Sequence, residues 1–312
     1  MKIFIKQLWL KLVAIFLHEN WMIGIVDQPI ANALDWTVCP PVRWLSSRFK
    51  VRYLADPFPW PGRSDIILCE NYDFATSVGS IHRLGIKNGR IISEAEQNFS
   101  FSCHLSFPFL FMHEGEVYAM PESAAAQELS IFCWKETEQR WKKIATPLSG
   151  VAAADSVIFE EGGYFWIAYT DANLGAWDNL NLIYASSLTG SWRPHAANPV
   201  IRGLQHSRCG GTPFRKDGKL YRPAQDCTKR YGGALRIMRI TECSIESFRE
   251  EEATQIQPAH GKNPHGFHHL SAWGDKCLVD GKRMMFSPTM VLDKAMRRLL
   301  RTMDFFSPPA SK

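Results

Sequence analysis

Short apolar runs that end on an aromatic recur along this chain at intervals of about fifty residues, the spacing of architectures built from one small repeated sheet. The runs are Asp56-Pro-Phe-Pro-Trp60, Phe107-Pro-Phe-Leu-Phe111, Asp155-Ser-Val-Ile-Phe159, Gly210-Gly-Thr-Pro-Phe214 and His269-Leu-Ser-Ala-Trp273, with the aromatic always four residues after the opening position. Polar turns follow (PGRSD, MHEGE, EEGG, RKDG, GDK), whose Gly and Asp residues supply the positive φ that tight hairpins require. Second strands read IILCE, VYAMPE, YFWIAYTD, KLYRPAQD and CLVD, and the first four units add third strands SIHRLGI, LSIFCWK, NLIYASS and ALRIMRI. Each unit is therefore a meandering antiparallel sheet.

Radial repetition of such units leaves only short, protected edges and makes a propeller. The pattern predicts an all-β chain, a five-bladed β-propeller over residues 21–290, with a helical segment at 1–20 and a basic amphipathic helix and tail at 291–312. A β-sandwich would not keep aromatics in phase across five segments. The last unit is short, so strands from residues 20–50 are expected to complete it and close the ring. In the C-terminal segment Lys294, Arg297, Arg298 and Arg301 share one helical face and Met296, Leu299, Leu300 and Met303 another.

Composition narrows the function classes. With 46% hydrophobic residues in 312 there is material for one large core, and 11 Trp, 19 Phe and 8 Tyr against 21% charged residues suit an all-β, sugar-handling protein. A net charge of +5, spread out except near the C-terminus, excludes a nucleic-acid groove. The 8 cysteines form no Cys-x-x-Cys pair, which speaks against a zinc ribbon and a disulfide framework and for reduced thiols in a cytosol. Lys6 and Lys11 interrupt the apolar N-terminus and no cleavage site follows, so export is not expected. The expected location is cytoplasmic, with contact to the inner face of the membrane through the terminal helices.

Candidate chemistry gathers where the innermost strands open and the second strands return. Asp56 and Asp155 open strands inside apolar runs, where a buried carboxylate without purpose costs about 2–7 kcal/mol. Sugar chemistry uses paired carboxylates around the reacting carbon, and these two with Glu122 form the catalytic set. Second strands end on Glu70, Glu122, Asp171 and Asp226; for Glu70 and Asp171 a strand end meeting solvent is a sufficient explanation. Glu122 and Asp226 sit beside apolar or basic neighbours that shift pKa. Glu70, His104, Arg208, Arg222, Asp226, His268 and His269 form the substrate-binding set, accompanied by His206 and His265, and this much positive charge implies an anionic ligand. Adjacent strand residues face opposite sides, so His265-x-x-His268-His269 is not expected to hold a metal, and no cofactor is implied. There is no phosphate loop, serine elbow or Asp-x-Asp pair.

The residues Tyr53-Leu-Ala-Asp56-Pro-Phe, His104-Leu-Ser-Phe-Pro-Phe109, Met120-Pro-Glu122-Ser, Ala154-Asp155-Ser, Tyr221-Arg222-Pro-Ala-Gln-Asp226-Cys227 and Tyr231-Gly232 resemble the N-terminal propeller module of the glucosamine inositolphosphorylceramide transferase family, from about Trp21 to Asp280. In plants that module precedes a separate glycosyltransferase domain. More distantly it is similar to five-bladed arabinanases, invertases and mannoside phosphorylases. Those hydrolases imply a base or nucleophile at Asp56 and a pKa-tuning acid at Asp155. Where they would carry their proton donor, this chain reads Arg208-Cys-Gly210, a departure that favours transfer from an anionic donor. The expected function is glycosyl transfer in cell-surface glycan or glycolipid assembly, with a phosphate-bearing sugar donor and a glycan or glycolipid acceptor. Asp56 would serve as base, and Arg208, Arg222 and His104 would hold the phosphate. A glycoside hydrolase and a non-catalytic glycan-binding module are the alternatives.

Overall fold

In the computed structural model, residues 17–47, 53–74 and 76–286 are described, and they form five small, mainly antiparallel sheets arranged as a ring. Blade 1 comprises Leu54–Pro59, Ile66–Asp73, Val78–Lys87 and Arg90–Glu96, with Ser46–Ser47 added along its outer edge. Blade 2 comprises Ser106–His113, Glu116–Glu122, Glu128–Lys135 and Arg140–Ser149, and blade 3 Ala153–Glu161, Tyr164–Asp171, Asn179–Ala185 and Arg193–Pro194. Blade 4 runs through Phe214–Lys216, Lys219–Asp226, Ala234–Cys243 and Phe248–Ile256. Blade 5 takes Leu270–Trp273 and Lys276–Phe286 from the C-terminal side and Leu17–Val26 and Arg43–Trp44 from the N-terminal side.

The predicted turns form as expected for local chemical reasons. Glu114-Gly115, Gly162-Gly163 and Asp217-Gly218 place two consecutive residues at positive φ, the conformation that matches the twist of a two-residue hairpin. Blade 5 is completed from residues 17–44, and the closing strand pairs in unbroken register from Leu17 opposite Phe286 to Val26 opposite Cys277. Second strands are flanked by neighbours on both faces, so Ile66, Ile67, Leu68 and Cys69 are buried in succession rather than alternately. The in-phase aromatics join blades: Trp60 of blade 1 packs on Trp134 and Trp141 of blade 2 at 5.3 and 5.6 Å between ring centroids.

The helical segment expected at 1–20 needs correction at its end, since Leu17–Asn20 belong to the ring-closing strand. Trp21 and Ile23 are buried as that strand's inward residues, and extension of the same pleat outward recruits its neighbours into the sheet. The rest of that segment, and the helix expected at 291–312, lie outside the described residues. Among the described residues the helices are two short 3₁₀ turns, Ile30–Asp35 and Ala124–Ala126, and none is long and apolar enough to cross a membrane. All eight cysteines are unpaired.

Candidate active site

Innermost strands in blades 1, 2 and 3 carry the same defect at the same place. Pairing with the second strand slips between Ala55 and Phe58, between Ser106 and Phe109, and between Ala154 and Val157. The residue after each first pair is left-handed: Asp56 at φ 51°, Phe107 at 41° and Asp155 at 45°. Such a bulge bends the strand and re-aims a side chain, and Asp tolerates this conformation better than most residues because its short polar side chain bonds locally. The kink turns the Asp56 and Asp155 carboxyls toward the axis. In blade 2 the same position offers Phe107, whose ring lies 4.9 Å from Phe58 and 5.7 Å from His269 and helps to close the channel beneath the acids.

Acids from the second strands complete the cluster, and register decides which of them reach it. Glu70 stands opposite Ala55 and Glu122 opposite Ser106, but in blade 3 the matching partner of Ala154 is Thr170. Asp171 falls one residue later and turns back onto its own loop, accepting a hydrogen bond from the Asn173 N–H at 2.9 Å. The fifth member is Asp280. It ends the Cys277-Leu-Val-Asp280 run just as the other acids end theirs, a signal visible in the repeat but not used to predict the site.

Two of these acids hold the strained aspartates of the following blade. Glu122 Oε2 accepts the Asp155 N–H at 2.9 Å, and Asp280 Oδ2 accepts that of Asp56 at 3.3 Å. Asp280 Oδ1 also accepts the His268 and His269 N–H groups at 3.2 and 3.1 Å. The equivalent Glu70 faces His104 instead, with Oε1 3.7 Å from Nε2. His104 Nδ1 accepts the Gly79 N–H at 2.8 Å, which leaves its proton on Nε2.

The two aspartates differ in what surrounds them. Asp155 Oδ2 accepts from Arg208 Nε and, at 2.5 Å, from Gln225 Nε2. Arg208 Nη1 donates to the Ala176 carbonyl at 2.7 Å, its guanidinium lies 5.3 Å from the Tyr231 ring centroid, and Nη2 stands 3.9 Å from Glu122 Oε2. The basic side chains nearest the Asp56 carboxyl are imidazoles rather than a guanidinium, with Oδ1 3.8 Å from His268 Nδ1 and 3.7 Å from His269 Nδ1. His268 lies flat on Trp21 at 3.7 Å and sets Nδ1 2.7 Å from Asp280 Oδ2. Lys282, fully buried behind this stack, donates to Glu19 at 2.8 Å and to the Tyr231 carbonyl at 2.7 Å. Oδ1 of Asp56, Oδ2 of Asp280 and the His268 ring could together ligate a cation, but His268 and the backbone N–H groups already engage Asp280.

Burial and mutual repulsion govern protonation here. Burial, then the charges of Asp155, Asp280 and Glu122, hold the Asp56 carboxyl well above the usual carboxylate range. Glu70 is raised for the same reasons, burial first and then Asp56 and Glu122. Burial and Asp155 push Glu122 up to about 7. Asp280 goes the other way: burial opposes its charge, but His268 and the donors around it outweigh burial and keep it below its ordinary value. Burial lowers His269 to about 4 and also lowers His104, so both imidazoles are neutral at pH 7. The site thus contains ionised and protonated carboxyls side by side, the combination that acid and base chemistry at neutral pH requires.

One stability prediction follows from Glu122. Its folded pKa of about 7 exceeds its ordinary 4.5, so folding favours the protonated form, and the contribution present below pH 4.5 is lost as pH rises toward 7. In denaturant titrations at pH 5 and pH 8, Glu122→Gln should be less destabilised by the higher pH than the parent protein. An equal pH response in both proteins would refute the assignment.

Asp56, Asp155, Glu122, Glu70, Arg208, His268 and His269 therefore converge, with His104 at the rim and only 5%, 3% and 9% of Asp56, Asp155 and Arg208 exposed. Arg222 and Asp226 are not brought there. Along Lys219–Asp226 alternate residues face alternate sides, and Gln225 takes the channel side. Arg222, fully buried, donates to Glu250 at 3.2 and 2.6 Å and to the His206 carbonyl at 2.7 Å, tying its strand to the blade's outer edge. His206 joins the same glutamate at 3.0 Å. Asp226 accepts from Arg236, Thr228 and Gln255, and against the effect of burial Thr228 and Arg236 draw its carboxyl below the ordinary range. His265 is exposed, near the Met284 N–H. Tyr231, Gln225, Trp21 and Lys282 are the neighbours that sequence reasoning passed over.

Comparison with known proteins agrees with this architecture. Residues 3–272 match the family described as glucosamine inositolphosphorylceramide transferase 1, N-terminal. Glucosamine inositolphosphorylceramide transferase 1 of Arabidopsis thaliana is 32% identical over 299 residues, covering 85% of this chain and 39% of that protein. Its counterpart in Oryza sativa subsp. indica is 28% identical over 276 residues, covering 81% of this chain and 37% of the relative. The chain thus spans well under half of either relative's length. Among solved structures, the catalytic domain of a Coprinopsis cinerea GH62 α-L-arabinofuranosidase is similar with a TM-score of 0.57 at 10% identity, covering 82% of this chain and 85% of that one. A family 117 glycoside hydrolase from Zobellia galactanivorans gives 0.51 at 10% identity, covering 87% and 92%. At such identity these two speak to the fold alone.

Proposed function

Since the chain belongs to the glucosamine inositolphosphorylceramide transferase family, we propose that its propeller transfers a glycosyl unit from a phosphate-bearing sugar donor to a glycan or glycolipid hydroxyl. The observation that carries this reading is Arg208, a buried guanidinium set among the acids of the cluster, beside Asp155 and Glu122. Asp155 and the Ala176 carbonyl fix two of its nitrogens, and Nη2 is left with only a loose partner at 3.9 Å. An oriented donor of this kind stabilises the charge of a departing phosphate.

In the proposed step the Asp56 carboxylate takes the proton of the acceptor hydroxyl as that oxygen bonds to the sugar's anomeric carbon. The bond from that carbon to the phosphate oxygen breaks, and its electron pair leaves on the phosphate. Neutral His104 offers an Nε2–H as a second donor to the leaving group. Asp155 orients Arg208, and Glu122 holds the backbone of Asp155. Arg222, committed to Glu250, has no part in this scheme.

Arg208→Ala should abolish turnover, a fall of about 10²–10³-fold or more as expected for removal of a charge-stabilising donor. The assay is radiolabelled sugar transfer from a sugar-phosphate donor, with circular dichroism as the check on folding. Full activity in the folded variant would remove the basis of the proposal.

A second reading is favoured by one observation, the Glu122 carboxyl raised to about 7, which suits a proton donor in glycoside hydrolysis with Asp56. The pH profiles separate the two. Transfer with Asp56 as base gains rate as pH rises, whereas hydrolysis with Glu122 as acid loses it above pH 7 and releases free sugar without an activated donor.

A further inference from the structure

Beside the acid cluster, the rim of the funnel between blades 3 and 4 exposes large apolar side chains. Leu174 is 59% exposed, Trp177 40% and Leu204 40%. Scattered single residues of this kind are ordinary, but these three stand on loops that are stitched together. The Gly203 N–H donates to the Asp178 carbonyl at 2.8 Å, the Cys227 N–H to the Leu204 carbonyl at 2.8 Å, and Arg208 to the Ala176 carbonyl at 2.7 Å. Trp177 lies 5.8 Å from Tyr231, the ring that covers Arg208. The apolar rim is thus continuous with the entrance to the candidate active site.

Three cations accompany it. Arg202 ends the short strand Ile201–Arg202 that leads to Leu204, Lys229 and Arg230 lie on the loop of Tyr231, all three are exposed, and none forms an ion pair among the described residues. Opposing them on these loops are Asp178, which is exposed, and Asp171, which caps its own turn. A sugar-binding platform would explain Trp177 but not two projecting leucines. A cationic border of this kind adds charge complementarity to an anionic surface, which the apolar side chains alone would not supply. Leucine and tryptophan side chains that enter the acyl boundary, bordered by cations that meet anionic headgroups, make a membrane-surface contact.

We propose that the blade 3–4 rim, through Leu174, Trp177 and Leu204 with Arg202, Lys229 and Arg230, docks the propeller on an anionic lipid surface with the funnel mouth facing the headgroups. The contact suits the glycolipid acceptor of the proposed function and to that extent rests on that reading. Its physical basis, the rim's composition, is independent of any activity.

The test is flotation of the full chain, without sugar donor, with vesicles of phosphatidylcholine alone and with added phosphatidylserine. The protein should float with the anionic vesicles, and both Leu174→Ser/Leu204→Ser and Lys229→Ala/Arg230→Ala should bind about tenfold more weakly or worse. Thermal unfolding should be unchanged in both, because the altered side chains are exposed. Brominated acyl chains should quench part of the tryptophan emission in the parent, and that part should vanish in Trp177→Phe. Quenching that persists in Trp177→Phe, or flotation unchanged in both double variants, would overturn the proposal, even if transfer activity is intact. Asp56→Asn should float like the parent, so a failed transferase reading leaves this result standing.

Discussion

Asp56→Asn should lower glycosyl transfer by about 10²–10⁴-fold, the usual contribution of a positioned general base, while the folded protein survives intact. The amide keeps the shape of the carboxyl and cannot accept the acceptor's proton. Its stability should match or exceed the parent's, because burial and the neighbouring acids already disfavour charge at this position. The parent's rate should also carry the mark of that environment. With an ordinary carboxylate as base the rate would stay level from neutral pH down to about 4, near the reference value of 3.8. With the raised carboxyl of Asp56 the fall should begin at a higher pH than that, because burial and the neighbouring acids favour its protonated form and only the ionised form acts. Steady-state transfer rates across pH, with the variant as control, provide the check, and a level profile or an active variant would rule out Asp56 as the base.

The second large effect lies away from the chemistry. Arg222→Ala should destabilise the propeller by about 3–5 kcal/mol, because it leaves the buried Glu250 without its guanidinium and with only His206 beside it. Both side chains are essentially inaccessible, at 0% and 1%, and the pair closes at 2.6 Å. Replacing both members together, as Arg222→Met with Glu250→Leu, should restore much of the loss, since a well-packed apolar pair avoids the desolvation of two charges. Equilibrium urea unfolding of the single and double variants measures this. The double variant should also retain transfer activity, in contrast to Arg208→Ala. An inactive but stable double variant would return Arg222 to the phosphate-binding role that its sequence position suggested.

The contrast between Arg208 and Arg222 shows how far the sequence can be read. Blade number and hairpins were legible because their signals are local: an aromatic at a fixed offset, then a glycine-bearing turn. Asp56 and Asp155 stood out as acids inside apolar runs, where burial is hard to explain otherwise. Whether a second-strand residue faces the channel depends on its register against the innermost strand, and the bulges alter that register by an amount that local sequence does not display. Asp171 misses the cluster by one residue, and Gln225 enters it where Arg222 and Asp226 do not. Asp280 had the right position in the repeat, but its role depends on Asp56, far away in sequence, whose backbone it holds. The C-terminal helix was expected from periodicity and the N-terminal one from a short apolar run broken by lysines; where the described residues meet the latter, at Leu17–Asn20, pairing with the last strand prevails.

The clasp formed by Leu17–Val26 on Lys276–Phe286 makes assembly order matter for the chemistry. Contacts between segments so distant in sequence are slow to form, because loop-closure entropy must be overcome before they contribute anything. Trp21, the floor under His268, arrives with the first of these segments, and Asp280, the anchor of Asp56, with the second. A chain with four blades folded and the clasp open would already have most of its secondary structure, yet its reactive carboxyl would be unsupported. Recovery of activity on refolding should therefore lag behind recovery of β-sheet signal, and catalytic competence becomes the last property the molecule acquires.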